Sequence, residues 1–217
     1  WNGRVGQTTA SPADWGGALE NRKMADEGMI VDSAMDFARA VAGTAAPSKI
    51  LESLRLIDVF YRGFDGRRHK GQLVVHRDLA ADLLELFELM ERQSFPVARV
   101  VPIVRFGWSD EASMAADNSS AFNYRLVAGT SRISLHALGR AVDINPRENP
   151  AIHPDGRVVP AGAVRKPLQP GTFSKNHPVV SAFLEKGWRW GGDFTHIRDY
   201  HHFEKTVSEN PDACSSG

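Results

Sequence analysis

An α+β fold, a single domain with a central antiparallel sheet flanked by helices, is the class this sequence predicts. Strand-like and helix-like stretches follow one another without the regular alternation of repeated βαβ units. Residues 54–76, LRLIDVFYRGFDGRRHKGQLVVH, place two β-rich runs around Asp65-Gly66, which is the composition of a hairpin. Residues 78–96, DLAADLLELFELMERQSFP, put Leu79, Leu83, Leu86, Phe87 and Met90 on one helical face, with Asp78 as N-cap and Phe95-Pro96 as the stop. With 217 residues, 42% of them hydrophobic, the chain can bury a full core, and its length favours one unit over two.

The other elements follow in order. Residues 1 to about 28 are rich in Gly, Ala and Asn and read as a loose arm, followed by a helix over 29–42, MIVDSAMDFARAVA. The arm and this helix make up 1–50, the main domain spans 51–207, and 208–217 is a flexible tail. After the hairpin and long helix, VARVVPIVRF (97–106) reads as a strand that Pro102 assigns to an edge or a bulge. SDEASMAADNSS (109–120) reads as a polar loop, and AFNYRLV (121–127) and AVDIN (141–145) as short strands. From Asn145 to Pro178 proline, glycine and charge crowd the chain into a long loop, and such loops inside compact domains are usually functional. VVSAFLEKGWRWGG then gives a short helix ending at Gly187.

Composition excludes several functions. Lys plus Arg (26) balances Asp plus Glu (26), so no basic excess points to a nucleic-acid partner. The single cysteine, Cys214, rules out a disulfide framework and a thiolate metal site within one chain, so any metal must take nitrogen and oxygen ligands. No apolar run is long enough to span a bilayer. The start at Trp1 reads as a processed or trimmed product, and the scarcity of cysteine suits an envelope protein as well as a cytosolic one.

Chemistry concentrates in SLHALGRAVDINP, Ser134 to Pro146. In a strand, Val142 and Ile144 face the core and Asp143 faces the other way. Gly139 permits a turn that returns His136 beside Asp143, and a histidine from RDYHHFE near the C-terminus can complete a set of three. Two imidazoles and a carboxylate suit zinc, and three protein ligands leave a fourth position for water. Taken alone, His136 and Asp143 are most often an ordinary hydrogen-bonded pair, and spacing does not choose between His201 and His202.

SLHALGRAVDINP together with GWRWGGDF and RDYHHFE resembles the M15 zinc peptidases, the D-alanyl-D-alanine carboxypeptidases and L-alanyl-D-glutamate endopeptidases that cut peptidoglycan stem peptides. The Ser-x-His-x-x-Gly-x-Ala-x-Asp signature is present as Ser134, His136, Gly139, Ala141 and Asp143, and the acidic-x-x-His motif as Asp199 and His202. The resemblance runs from about Leu54 to Lys205 and implies a Hedgehog/DD-peptidase-like fold. It implies zinc as cofactor, held by His136, Asp143 and His202, with Asp199 as general base and Arg125 polarising the scissile carbonyl. Arg125 departs from the family's Gly-Tyr-Arg wording, standing here in FNYR, with Arg132 as its substitute. Ser134 and Trp190 are implied on the substrate side, although Trp188 and Trp190 are as readily packing anchors. His201 would be a pocket-edge or structural residue, and Asp193 is the rival acid.

The resemblance further implies a peptidoglycan stem peptide as partner and a secreted or envelope location. Rival functions are a peptidase of the same fold acting on non-wall peptides and a non-catalytic zinc-containing binding protein. His69, His153, His177 and His196 have no spacing that singles them out. In one strand Asp199 and His202 would face opposite sides, so the backbone between them must turn or bulge for both to reach one metal.

Overall fold

The computed structural model describes residues 28–127 and 129–206, and the arm at 1–27 and the tail at 208–217 lie outside the described residues. Strands and helices are mixed as expected. The sheet is not one central layer, however: among the described residues there are three three-stranded sheets. In chain order the elements are β1 (Ile30–Val31), α1 (Phe37–Ala40), α2 (Ser48–Ser53), β2 (Leu54–Arg62), β3 (Arg68–His76), α3 (Ala80–Arg92) and α4 (Asp110–Ala115). Then follow β4 (Ala141–Asp143), β5 (Ala151–Ile152), β6 (Val158–Val159), α5 (Pro178–Glu185), β7 (Arg189–Trp190), β8 (Arg198–Asp199) and β9 (His202–Glu204).

The hairpin is present, with β2 and β3 antiparallel from Leu54↔His76 to Arg62↔Arg68. α3 buries Leu83, Leu86, Phe87 and Met90 in the main core, joined by Leu79 from the turn before it. Truncating one such leucine to alanine costs about 2–5 kcal/mol. Asp78 is not the cap: the His76 side chain accepts from Asp78 N and opens a 3-10 turn, Arg77–Leu79, that leads into α3. Against the core α5 brings Phe183, which stacks on Phe203 of β9 with centroids 3.9 Å apart. This contact fixes β9, and with it His202, against the helical layer.

Four stretches differ from the sequence-based reading. In place of a helix over 29–42, Ile30 and Val31 pair parallel with His69 and Lys70, and only 37–40 is helical, capped by Asp36. Two β-branched residues beside an open sheet edge gain ladder hydrogen bonds that outweigh weak helical periodicity. Residues 97–106 are not a strand, because only Val100 bridges, to Ser119, and Pro102 leads into a 3-10 turn over Ile103–Phe106. The polar loop at 109–120 contains α4, whose N-cap Ser109 accepts from Ala112 N. Residues 121–127 contribute one bridge, Leu126↔Ile133, rather than a strand.

The long 145–178 segment holds β5 and β6 and is otherwise irregular, but it is stitched down by two fully buried asparagines. Asn145 donates to Pro96 O and Gly171 O and accepts from Ala98 N. Asn149 donates to Gly171 O at 2.8 Å and accepts from Phe173 N at 2.6 Å. These bonds satisfy backbone groups that no sheet reaches, so the loop can line a site without disorder.

Candidate metal centre

Two strands and a 3-10 turn build the centre. β4 and β9 pair antiparallel with Asp143 opposite His202, so register alone brings a carboxylate and an imidazole together. His136 lies in the turn Leu135–Leu138, which Ser134 caps by accepting from His136 N and Gly139 ends at φ +64°. A Cβ on Gly139 would lie 2.6 Å from His76 N, so only glycine lets the turn close against the hairpin.

The three side chains offer ligand atoms that all lie within 4.8 Å of one another. His136 Nε2 is 3.1 Å from His202 Nδ1 and 3.2 Å from Asp143 Oδ2, and His202 Nδ1 is 3.0 Å from Asp143 Oδ1. The outward nitrogens decide the chemistry. His136 Nδ1 donates to Ala121 O at 2.6 Å, and His202 Nε2 donates to Glu204 Oε2 at 3.1 Å. In their neutral forms both imidazoles therefore turn lone pairs inward, toward a carboxylate. Three converging acceptors fit a divalent cation, and a carboxylate behind a ligating histidine is the usual way to fix its tautomer.

Without such a cation the electrostatics strain toward positive charge. Burial pushes the Asp143 carboxyl up, but the His136 and His201 imidazoles and hydrogen bonds from His136 and His202 hold it well below the usual carboxylate range. Burial pushes His202 down, yet its bonds to Asp143 and Glu204 raise it to about 10.

The structure separates the two adjacent histidines. His202 points into the ligand set. His201, 4% exposed, stands outside it, with Nδ1 2.8 Å from Asn149 O and Nε2 3.0 Å from Asp199 Oδ1. It is a buried brace, the structural one of the two roles expected for it. A turn at Tyr200 and His201 separates β8 from β9, supplying the change of direction that Asp199 and His202 require. Gly191 closes on the same place, where a Cβ would meet Asp199 O at 2.4 Å. Asp199 is held below the usual carboxylate range, since the charge and hydrogen bond of His201 overcome its burial. Asp193, the rival acid, instead faces Lys175 at 3.4 Å on the surface.

Arg125 lies on a segment hydrogen-bonded to the ligand turn, Ser134 N donating to Arg125 O at 3.1 Å, and its guanidinium pairs with Asp110. Arg132 is exposed, its backbone carbonyl accepting from Val127 N at 2.8 Å. Trp190 is 3% exposed, its Nε1 donating to Tyr200 O, and Trp188 is also in the core, so both are packing anchors. Ser134, 4% exposed, caps the His136 turn.

The sequence-based reading missed Glu204, although its place two residues after His202 on one strand was a usable signal. It also missed the Ala121 and Asn149 carbonyls, for which backbone groups leave no signal. Two surface grooves beside the 162–172 loop, about 370 and 520 Å3, contain none of the ligand residues in their walls.

Residues 128–205 match the M15 family described as D-alanyl-D-alanine carboxypeptidase. The match includes His136, Asp143, Asp199 and His202 and leaves Arg125 outside. Among curated proteins and solved structures there was no match.

Proposed function

On the premise that residues 128–205 form an M15-type peptidase segment, we propose that the protein is a zinc-dependent peptidase hydrolysing peptide bonds in bacterial peptidoglycan stem peptides. The observation that carries this is the convergence of His136, Asp143 and His202, with their outward nitrogens and register already fixed. Two imidazoles and one carboxylate suit zinc among the available metals. When bound, zinc supplies Lewis acidity and lowers the pKa of a coordinated water to roughly 7.

The chain's own residues do the rest. Asp199 accepts the proton of the attacking water as its oxygen bonds to the carbonyl carbon, then returns that proton to the leaving amine as the C–N bond breaks. His201 holds the Asp199 carboxylate in place. Arg125 meets the charge that develops on the carbonyl oxygen. Such a substrate places the protein in the cell envelope or outside the cell, and no described helix is long and apolar enough to cross a membrane.

The test is incubation of the zinc-loaded protein with purified peptidoglycan, scoring free D-alanine and new internal amino termini. Release that chelation stops and zinc restores is the expected result, and the product separates carboxypeptidase from endopeptidase. Cleavage of non-wall peptides alone would overturn the substrate. Tight zinc binding with no cleavage of any peptide would make the protein a binding module.

A further inference from the structure

Asn123 and Arg125 stand two residues apart, and both side chains end on one carboxylate. Asn123 Nδ2 donates to Asp110 Oδ1 at 2.7 Å, while Arg125 Nε forms an ion pair with Asp110 Oδ2. Asp110 is the first residue of α4, which Ser109 caps, so the carboxylate projects from a fixed helix start. The segment it grips is also bound to the ligand turn, since Asn123 N donates to His136 O and Ser134 N to Arg125 O, each at 3.1 Å. One acid thus tethers both the arginine and the segment that backs His136.

We infer that Asp110 is a positioning residue for Arg125: its Oδ2 pairs with the guanidinium at Nε while Nη1 donates to Leu126 O at 3.4 Å, which together leave Nη2 for the carbonyl oxygen under attack. This rests on the proposed function, in which Arg125 meets that oxygen. Arginine has long, freely rotating torsions, and a guanidinium offers its donors in a rigid fork, so fixing one edge aims the other. Stability is a poor explanation for the pair. Its side chains are 35% and 31% exposed, and ion pairs so open to solvent add little to folding. Asp110 also serves two partners with separate oxygens, which a solvated surface charge would not need.

Asp110→Asn dissects the arrangement. The amide keeps an oxygen for Asn123 but turns an NH2 toward the Arg125 Nε donor, so the arginine anchor is lost while size and the helix cap are kept. On a synthetic stem peptide, kcat is expected to fall by about tenfold to a hundredfold, the scale of a small misplacement of a catalytic group, with KM nearly unchanged. Zinc content and thermal midpoint should stay at wild-type values, and the Arg125 Nε–H resonance should shift and exchange faster with solvent. In an Arg125→Lys background, Asp110→Asn should add no further loss, because the group it aims is already gone. Asp110→Glu should recover part of the rate.

An unchanged kcat in Asp110→Asn, beside a slow Arg125→Lys, would overturn the positioning role while leaving the peptidase intact. Equal losses in both backgrounds would assign Asp110 a structural role and overturn it as well. Full turnover in Arg125→Lys would remove the role of Arg125 and this inference with it, and the unaltered Nε–H resonance in Asp110→Asn would do the same for the anchor alone.

Discussion

Glu204 Oε2 lies 3.1 Å from His202 Nε2, on the side of the imidazole opposite Asp143. Arg189 Nη1 approaches the other Glu204 oxygen at 3.1 Å, so the acid is itself held. In the neutral imidazole a carboxylate in this place keeps the proton on Nε2 and the lone pair on Nδ1, the form in which His202 can bind a metal. Glu204→Gln should therefore bind zinc about 10- to 100-fold more weakly, read by competition with a chromogenic chelator. Wild-type affinity in this variant would show that Glu204 only pairs with Arg189.

The two adjacent histidines should behave differently. His202→Ala should lose stoichiometric zinc, whereas His201→Ala should keep it and lose turnover, because the Asp199 carboxylate loses its brace. Metal analysis beside turnover decides this. The opposite pattern would transfer the ligand role to His201.

Asp199→Asn removes the proton acceptor and preserves the shape of the side chain. Zinc content and folding should persist, since Asp199 is outside the ligand set. Turnover should fall by about a hundredfold to ten-thousandfold. If instead Asp193→Asn caused the loss while Asp199→Asn stayed active, the base would be Asp193, despite its pairing with Lys175 on the surface.

Metal affinity should rise with pH. His202 is raised to about 10 and His201 to about 9 in the metal-free site, so near neutrality both carry protons, and a cation must displace that of His202 to reach Nδ1. Zinc binding at pH 7 should release protons, measured by calorimetry in buffers of different ionisation enthalpy. Binding without proton release would contradict the charge state of the ligand set.

Away from the centre, Glu148 gives a stability signature. Burial, then a hydrogen bond and the charge of Asp117, raise its carboxyl from 4.5 to about 8, favouring the protonated form in the fold. A raised folded pKa contributes stability that is complete below 4.5 and is lost as pH climbs through about 8. Glu148→Gln should flatten that decline in urea titrations between pH 5 and about 9. An identical slope in wild type and variant would show that Glu148 does not carry it.

Much of this was determined by sequence alone, because it depends on local spacing. The 3.6-residue period of Leu79 to Met90 dictates a buried helical face, and Asp65-Gly66 between β-rich runs dictates a hairpin. Ser134, His136, Gly139 and Asp143 form a contiguous motif, so the turn and strand that present two of the candidate ligands were legible. The N-cap at Ser109 was equally local, although a polar composition concealed it.

Other features existed only once distant segments met. Ile30 and Val31 became a strand because the edge of β3 offered hydrogen bonds, an energy that their own sequence does not contain. The three small sheets replaced one central sheet because short strands pair where loops bring them, not where their pattern alone would order them. The choice of His202 over His201 came from register, which sets His202 opposite Asp143 across β4 and β9 and turns His201 back toward Asn149 and Asp199. Two adjacent histidines are chemically alike along the chain. Only the direction that the backbone gives each side chain, and the acceptor waiting there, makes one a candidate ligand and the other a brace.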